Sequence, residues 1–568
     1  MLDFPQLDEP TVVRALLERA RLEPEGLASV IVHADRPDEV YRTADLMGLA
    51  GRYAEHYHKQ LGSGDRPVIC VCLYHGIHLQ AAFLGGILAG AIPTMVAPPS
   101  PRMEKEKYVD SFARMLGHIR PDYIVTNEAV GEALRSLRID AFPAERVLDA
   151  DSFRALSPLR GSLETAPGWG SDPSDVVLLQ HSSGTTGLQK GVALGDRAVL
   201  HQVRSYGEVL RLSKRDLIVS WLPLYHDMGL IACFMLPMLA GVPVVTLSPF
   251  DWVSQPMLLW RKIKEYRATL CWLPNFAYSF SSKAVRDHHR DEIDLRSIRA
   301  FVNCSEPVMA RSHAEFQERF GPFGVDEEKL LTCYAMAETV FAVTQSPIAR
   351  APRIDRVCQE TLQREQRALP RETPPWVELV SNGPCIEGLE LSVVDEKGRA
   401  CPERQIGEIL VRGDCVFSGY FRRADLTSAA FVDGWYKTGD LGYLADGELF
   451  VTGRKKDLII IQGRNFHPGD LEAAVSDLEG VIAGRVAAFG QAEDETGTEI
   501  LVVLAETRID DPVAQGRLKL DIRNLIAQTF DCTVGKVFLV PERWLVKSTA
   551  GKVARSANRE KYEALLRR

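Results

Sequence analysis

The segment His181-Ser182-Ser183-Gly184-Thr185-Thr186-Gly187-Leu188-Gln189-Lys190-Gly191 holds three glycines, four hydroxyls and one lysine. Glycines let backbone N–H groups turn toward an anion, and the short hydroxyls add donors. Lys190 adds a positive charge. The apolar run Val176 to Leu179 just before it reads as a buried strand. A loop of this kind can grip polyphosphate. It is not the Gly-x-x-x-x-Gly-Lys-Ser/Thr loop, because that ending is absent. A plain flexible surface loop is the alternative, but such a loop has no need for so many hydroxyls beside a strand.

Other residues could do chemistry but are ambiguous one by one. Glu338 suits a hard cation such as Mg²⁺, or the first turn of a helix. Asp440, in Thr438-Gly439-Asp440, is acceptor-only when ionised and suits a diol; it could equally close a tight turn. His226 sits in a polar loop, where a histidine is more often structural than catalytic. Tyr334 taken alone reads as core. Lys547 and Lys552, near the C-terminus, read alone as solvated charges.

Their order along the chain is more specific. The segments HSSGTTGLQKG at 181, WLPLYHDMGL at 221, PNFAY at 274, YAMAE at 334, YKTGDLG at 436, GRKKDLIIIQGRNFHPGDLE at 453 and KSTAGKVARS at 547 resemble the core motifs of the adenylate-forming superfamily. That superfamily holds acyl-CoA synthetases, luciferases and peptide-synthetase adenylation domains. Within it the sequence is most similar to the fatty acyl-AMP ligases. The resemblance implies an ATP- and Mg²⁺-dependent enzyme that joins a fatty or related carboxylic acid to AMP and releases pyrophosphate. The acyl group would then pass to the phosphopantetheine thiol of a holo acyl carrier protein, feeding polyketide, nonribosomal-peptide or lipid biosynthesis. A fatty acyl-CoA ligase is one alternative; a non-catalytic adenylate-binding protein is another.

The same resemblance implies roles for particular residues. Ser182, Ser183, Gly184, Thr185, Thr186, Gly187 and Lys190 would hold the phosphates, with Thr185 and Glu338 at the metal. Tyr334 would cover the adenine, with Ser305, Glu306 and Pro307 on its other side and Ala335, Met336 and Ala337 beside the adenylate. Asp440 would accept the ribose hydroxyls, and Arg454 would contact ribose or phosphate. Lys456 would be the hinge. Lys552 would be the catalytic lysine, with Lys547 nearby as the competing choice. His226 would stand at the junction of acyl pocket and adenylate, and Met228, Gly229, Asn275 and Phe276 would line the acyl channel. Three positions depart from the pattern. Ala335 stands where glycine is usual, Cys304-Ser305 replace Gly-Ala, and Ala337 replaces a threonine common in CoA ligases.

These residues are far apart in sequence, so a large fold must gather them. At 568 residues the chain exceeds one typical domain. Helical patterns alternate with short apolar strands at Val68 to Leu73, Tyr123 to Thr126, Leu217 to Ser220, Val242 to Leu247, Ala268 to Trp272 and Ala300 to Asn303. This predicts an α/β fold with parallel strands and a site at their carboxyl ends. From about Leu379 the texture turns β-rich. The resemblance divides the chain into a large adenylating region, 1–455, with mixed sheets and a β-barrel-like subdomain, and a small mobile α+β region, 456–568. Residues after the hinge read β–α–β–β–α. The polar stretch 350–375 carries six arginines and four prolines. It reads either as a surface loop with a short helix or, by resemblance, as the insertion that marks the acyl-AMP branch.

Composition excludes other classes. A net charge of −9 argues against non-specific nucleic-acid binding. Met228 to Leu247 is uncharged, but Pro237, Gly241 and Pro243 interrupt it, so a buried helix and core strand are expected, with no integral membrane association. Eleven cysteines without a Cys-x-x-Cys pair, and an acid where a signal peptide would carry a base, point to the cytoplasm.

Overall fold

The structure is a computed structural model that describes residues 4–61, 66–99, 105–136, 146–153, 166–182, 190–461, 464–493, 498–547 and 552–566. The strand–helix alternation builds two mostly parallel sheets. Among the described residues the first has eight strands, in the order Ala342–Gln345, Leu330–Ala335, Ala300–Asn303, Leu270–Leu273, Ile218–Ser220, Val244–Thr246, Leu27–Ile31 and Glu39–Arg42. Its inner strands run parallel and both edge strands antiparallel. The inner strands are short, continuous apolar runs because helices cover both faces, leaving little room for polar alternation.

The second sheet orders Gly419–Tyr420, Lys190–Gly195, Val176–Ser182, Ile92–Met95, Val68–Val71, Tyr123–Thr126 and Val147–Asp149. Val176–Ser182 and Lys190–Gly195 are antiparallel neighbours, with Ser182 opposite Lys190. The hydroxyl-rich segment therefore joins two paired strands. Ser183, Gly184, Thr185, Thr186 and Gly187 lie outside the described residues. A third, antiparallel sheet holds Leu389–Val394, Gly407–Gly413, Trp435–Ala445, Phe431–Val432 and Glu448–Arg454. It accounts for the β-rich texture.

Residues from Ile459 onward keep cores of their own. Val481–Glu493, Thr498–Thr507 and Val534–Pro541 form a sheet backed by helices Pro468–Ser476 and Pro512–Phe530. Leu471, Val475, Val503, Ile522 and Ile526 are buried between them. The strands Arg464–Phe466 and Val534–Pro541 and the helix Arg555–Leu566 add to the expected β–α–β–β–α order.

Met228 to Leu247 folds as a buried π-helix Met228–Met235, a helix Leu236–Ala240 and the strand Val244–Thr246. No helix among the described residues is long and apolar enough to cross a membrane. The 350–375 stretch is a packed element, not a polar surface loop. Strand Ile354–Cys358 pairs antiparallel with Trp376–Val380, and helix Gln359–Glu365 lies between them in sequence. Val357, Leu362 and Ala368 are buried with the stacked rings of Tyr443 and Phe450. Three of its six arginines pair with carboxylates of the large region: Arg353 with Asp446 at 2.5 Å, Arg356 with Glu378 at 3.0 Å, and Arg350 with Glu448.

Candidate active site

The carboxyl ends of the parallel strands supply the site. Trp221 to Met228 follow Ile218–Ser220, Asn275 and Phe276 follow Leu270–Leu273, and Ser305 to Pro307 follow Ala300–Asn303. Tyr334 and Ala335 end the strand Leu330–Ala335, and Glu338 lies in the turn after it. This is the crevice where ligands of such sheets bind.

The turn carrying Glu338 is strained and pinned. Val340 has φ +63° and ψ −55°, a conformation costly for a β-branched residue. Phe341 N–H donates to Thr339 O at 2.7 Å across it. Met336 N–H donates to Phe341 O, and Val340 N–H to Ala337 O. The buried Gln180 donates to Val340 O at 3.1 Å, and Phe417 N–H to Glu338 O at 2.8 Å. Burial raises the Glu338 carboxyl above its ordinary range; a 3.0 Å bond from the Tyr420 hydroxyl and the Lys190 charge oppose this, while Asp227 adds to it.

Asp440 is already engaged. Tyr334 Oη donates to Oδ2 at 2.7 Å, and Arg454 Nε lies 3.1 Å from Oδ1. The strand pairing sets Asp440 directly opposite Arg454. Tyr334 is buried, so its hydroxyl orients Asp440 while its ring walls the crevice.

The small region closes over this crevice. Lys552 Nζ donates to Ser305 O, a carbonyl presented by a residue at φ +70°. Lys552 also acts on Asp227. Burial pushes the Asp227 carboxyl up, but His226, Lys552 and the Met228 N–H together hold it below its ordinary value. His226 Nδ1 is 2.6 Å from Asp227 Oδ1. Lys547 is bridged to Val553, the residue after Lys552; burial and Arg485 lower its pKa to about 8, against Glu306 and Glu506. Lys456 is exposed in the short helix Lys455–Asp457, and the next residue, Asp457, pairs with Arg555 at 3.0 Å. Gly469, at the start of the helix Pro468–Ser476, approaches Pro307.

Four residues were expected along an acyl channel. Gly229 is required where it stands, because a Cβ there would meet Pro223 O at 2.2 Å. Met228 is buried against Ser305. Asn275 is tied into a polar network. Its side chain accepts from Met309 N–H and Asn303 and donates to Ser312. Phe276 N–H is held by Glu306 at 2.8 Å, and its ring packs edge-on against Trp221 and Trp252. Those two indoles stack face to face at 3.7 Å.

The AMP-binding enzyme family matches residues 31–421. The chain belongs to that family. This AMP-binding enzyme is similar to a solved chain from work on fatty acyl-adenylate ligases of E. coli and L. pneumophila, with TM-score 0.89 and 27% identity over 99% of both chains. It is 29% identical over 531 residues to the 4-hydroxyphenylalkanoate adenylyltransferase of Mycobacterium tuberculosis, covering 88% of this chain and 82% of that one. It is 28% identical over 594 residues, 98% of each chain, to an M. tuberculosis protein provisionally named fatty-acid–CoA ligase fadD25.

Several residues of the AMP-binding enzyme's crevice were not anticipated. Asp227 was hidden behind its neighbour His226. Gln180 and Tyr420 carried no signal: each is one polar group in an apolar or glycine-rich context, and Tyr420 lies 82 positions from the carboxylate it touches. Only the fold brings them in.

Proposed function

We propose that the protein activates a fatty acid with ATP. A carboxylate oxygen attacks the α-phosphorus, the bond to pyrophosphate breaks, and acyl-AMP forms. The acyl carbon is then taken by the thiol of a phosphopantetheine on a carrier protein, and AMP leaves. The observation that carries the first step is the gathering of three groups at the carboxyl ends of the parallel strands: Glu338 in the turn after Leu330–Ala335, Asp440 bonded to Tyr334 of that strand, and Lys552 bonded to Ser305 O after Ala300–Asn303. A carboxylate suited to a cation and a lysine suited to a developing anion thus stand at the ends of two neighbouring strands. Catalysis there consists of positioning and charge neutralisation. The fatty acyl-adenylate ligases to which the chain is similar support the substrate class.

Mg²⁺ fits these residues. Among the described residues no group of three or more His, Cys, Asp or Glu could hold a metal. One buried carboxylate with nucleotide phosphates is the manner in which Mg²⁺ is commonly held. Glu338 would supply that carboxylate, with Thr185 as its expected companion. The ion would neutralise phosphate charge. Asp440, oriented by Tyr334 and Arg454, would receive the ribose hydroxyls. Ser305 to Pro307 and Tyr334 would flank the adenine. Phe276, partly exposed and backed by the buried Trp221 and Trp252, would offer apolar surface for the acyl chain.

Pyrophosphate release against carboxylic acids of graded length, with mass spectrometry for acyl-AMP, tests the first step. ADP in place of AMP and pyrophosphate overturns it. The name of the mycobacterial relative makes free CoA the competing acceptor. A thioester assay offering CoA and a holo carrier protein side by side separates the two.

A further inference from the structure

Between Cys415 and Arg423 runs a short strap that the reaction described above does not use. Its backbone is tied on two sides. Ser418 N–H donates to Ala193 O at 3.0 Å and Phe421 N–H to Gly191 O at 2.8 Å, along the strand that begins with Lys190. Phe417 N–H donates to Glu338 O. The strap thus spans the gap between the strand of the phosphate-gripping lysine and the turn of the carboxylate. Gly419 lets it pass closely, since a Cβ there would meet Thr427 at 2.7 Å.

Tyr420 repeats that bridge with its side chain. The Lys190 ammonium lies over the Tyr420 ring, 4.4 Å from its centroid. This is within the range where the negative ring face attracts a cation. The hydroxyl at the far end of the same ring donates to Glu338 Oε1 at 3.0 Å. The ring cannot turn freely. Phe417 packs edge-on at 4.9 Å, and the Tyr420 N–H is held by Thr427 Oγ1 at 2.9 Å. Tyr420 is 7% exposed, so neither contact is diluted by water.

We propose that Tyr420 is a positioning residue for adenylation: its ring seats the Lys190 ammonium and its hydroxyl aims the Glu338 carboxylate at the same metal–triphosphate group. The proposal rests on reading Glu338 as the Mg²⁺ carboxylate and Lys190 as a phosphate ligand. A tyrosine that merely packs the core would need its ring but not its hydroxyl.

The test compares Tyr420→Phe, Tyr420→Leu and Glu338→Gln with the unchanged protein. Mn²⁺ stands in for Mg²⁺ and is followed by electron paramagnetic resonance with α,β-methylene-ATP, which cannot transfer its adenylyl group. Calorimetry gives the affinity for the same nucleotide without metal. A hydrogen bond to a charged group is worth enough that Tyr420→Phe should weaken Mn²⁺ binding roughly tenfold. Because the ring stays, metal-free nucleotide affinity should hold within about twofold. Tyr420→Leu should lose both, with metal-free affinity falling roughly fivefold as the contact to Lys190 disappears. Phe at the unchanged level of Mn²⁺ binding, with Glu338→Gln weakened, overturns the role of the hydroxyl. Leu and Phe indistinguishable in metal-free affinity overturns the role of the ring. If Glu338→Gln itself leaves Mn²⁺ binding intact, the reading of Glu338 fails, and the proposal with it.

Discussion

The two flanks of the crevice are built in opposite ways. On one, Glu338, Lys190 and Asp440 are held within a single body by strand pairing and by main-chain bonds from Phe417 and side-chain bonds from Gln180 and Tyr334. On the other, Lys552 arrives from the small region and meets the large one at Ser305 O. Among the described residues, other polar contacts between the two regions are Arg311 with Asp477, Gln359 with Thr529 O, and Arg464 and Asn465 with Gln363. The first flank is preorganised and carries strain at Val340. The second joins two regions with separate cores, and would be removable if the small region turns about Lys456. A two-step reaction that must exchange one acyl acceptor for another benefits from one fixed flank and one removable flank.

The sharpest way to break this comparison is at Lys552. If it acts on charge that develops only during the reaction, Lys552→Ala should lower the adenylation rate roughly a hundredfold, about 3 kcal/mol, and change ATP affinity little. Lys547→Ala should have much the smaller effect, since it is Lys552 that bonds Ser305 O. Pyrophosphate release measures both. The reverse ranking would put Lys547 at the chemistry.

On the fixed flank, Asp440→Ala removes an acceptor shared by Tyr334 and Arg454. It leaves a buried phenol without its partner and takes away the expected diol acceptor. KM for ATP should rise roughly tenfold with a smaller change in kcat, the signature of lost uniform binding. A fall in kcat with KM unchanged would mean that Asp440 acts on the reacting atoms instead.

The difference between the flanks also explains what could be read from the sequence. The parallel strands were legible because Val68–Val71, Leu270–Leu273 and Ala300–Asn303 are continuous apolar runs, and burial on both faces writes itself into composition. The family was legible because its motifs keep their order. Tyr420 and Gln180 were not, since a contact between residues distant in sequence leaves no local pattern. Arg464–Phe466 was missed because three residues are too few to show a period. Nothing in the composition of 350–375 tells which side chains reach the small region: Arg353 and Arg356 pair within the large one, and glutamines make the crossing contacts.

A smaller effect is expected from pH at the movable side. Asp470 sits in the first turn of Pro468–Ser476. Burial, reinforced by Glu472 and opposed by Arg555, raises its pKa to about 7 from an ordinary 3.8. The folded state then holds a proton that the unfolded chain has released, so stability falls as pH rises from about 4 to about 7. Asp470→Asn removes that dependence. At pH 8 it should be the more stable protein by about 1 kcal/mol, a figure discounted from the full shift because the side chain is only partly buried. Urea melts at pH 5 and pH 8 measure this; parallel pH dependences for both proteins would show that Asp470 ionises normally and that this face is wetter than its packing suggests.

The smallest expected effect tests the grip itself. Deleting 353–373 is a poor probe, because it strips Val357, Leu362 and Ala368 from a core shared with Tyr443 and Phe450. Gln359→Ala combined with Gln363→Ala cuts the crossing bonds to Thr529 O and Arg464 while keeping the helix Gln359–Glu365, since alanine is a strong helix former. Exposed and half-buried hydrogen bonds of this kind are worth about 1 kcal/mol together, which shifts a two-state balance roughly fivefold. Acyl-AMP formation, which uses the docked pose, should barely change. Any transfer to free CoA should rise by that factor, because the small region leaves the docked pose more often. Transfer to a carrier protein should rise less, since a docked carrier brings its own contact area to favour the rotated pose. Unchanged CoA transfer, with acyl-AMP formation intact, would mean that the two glutamines do not bias the small region. The small region would then be held by other contacts, among them Lys552 with Ser305 O, Asn465 with Gln363 O and the Arg311–Asp477 pair.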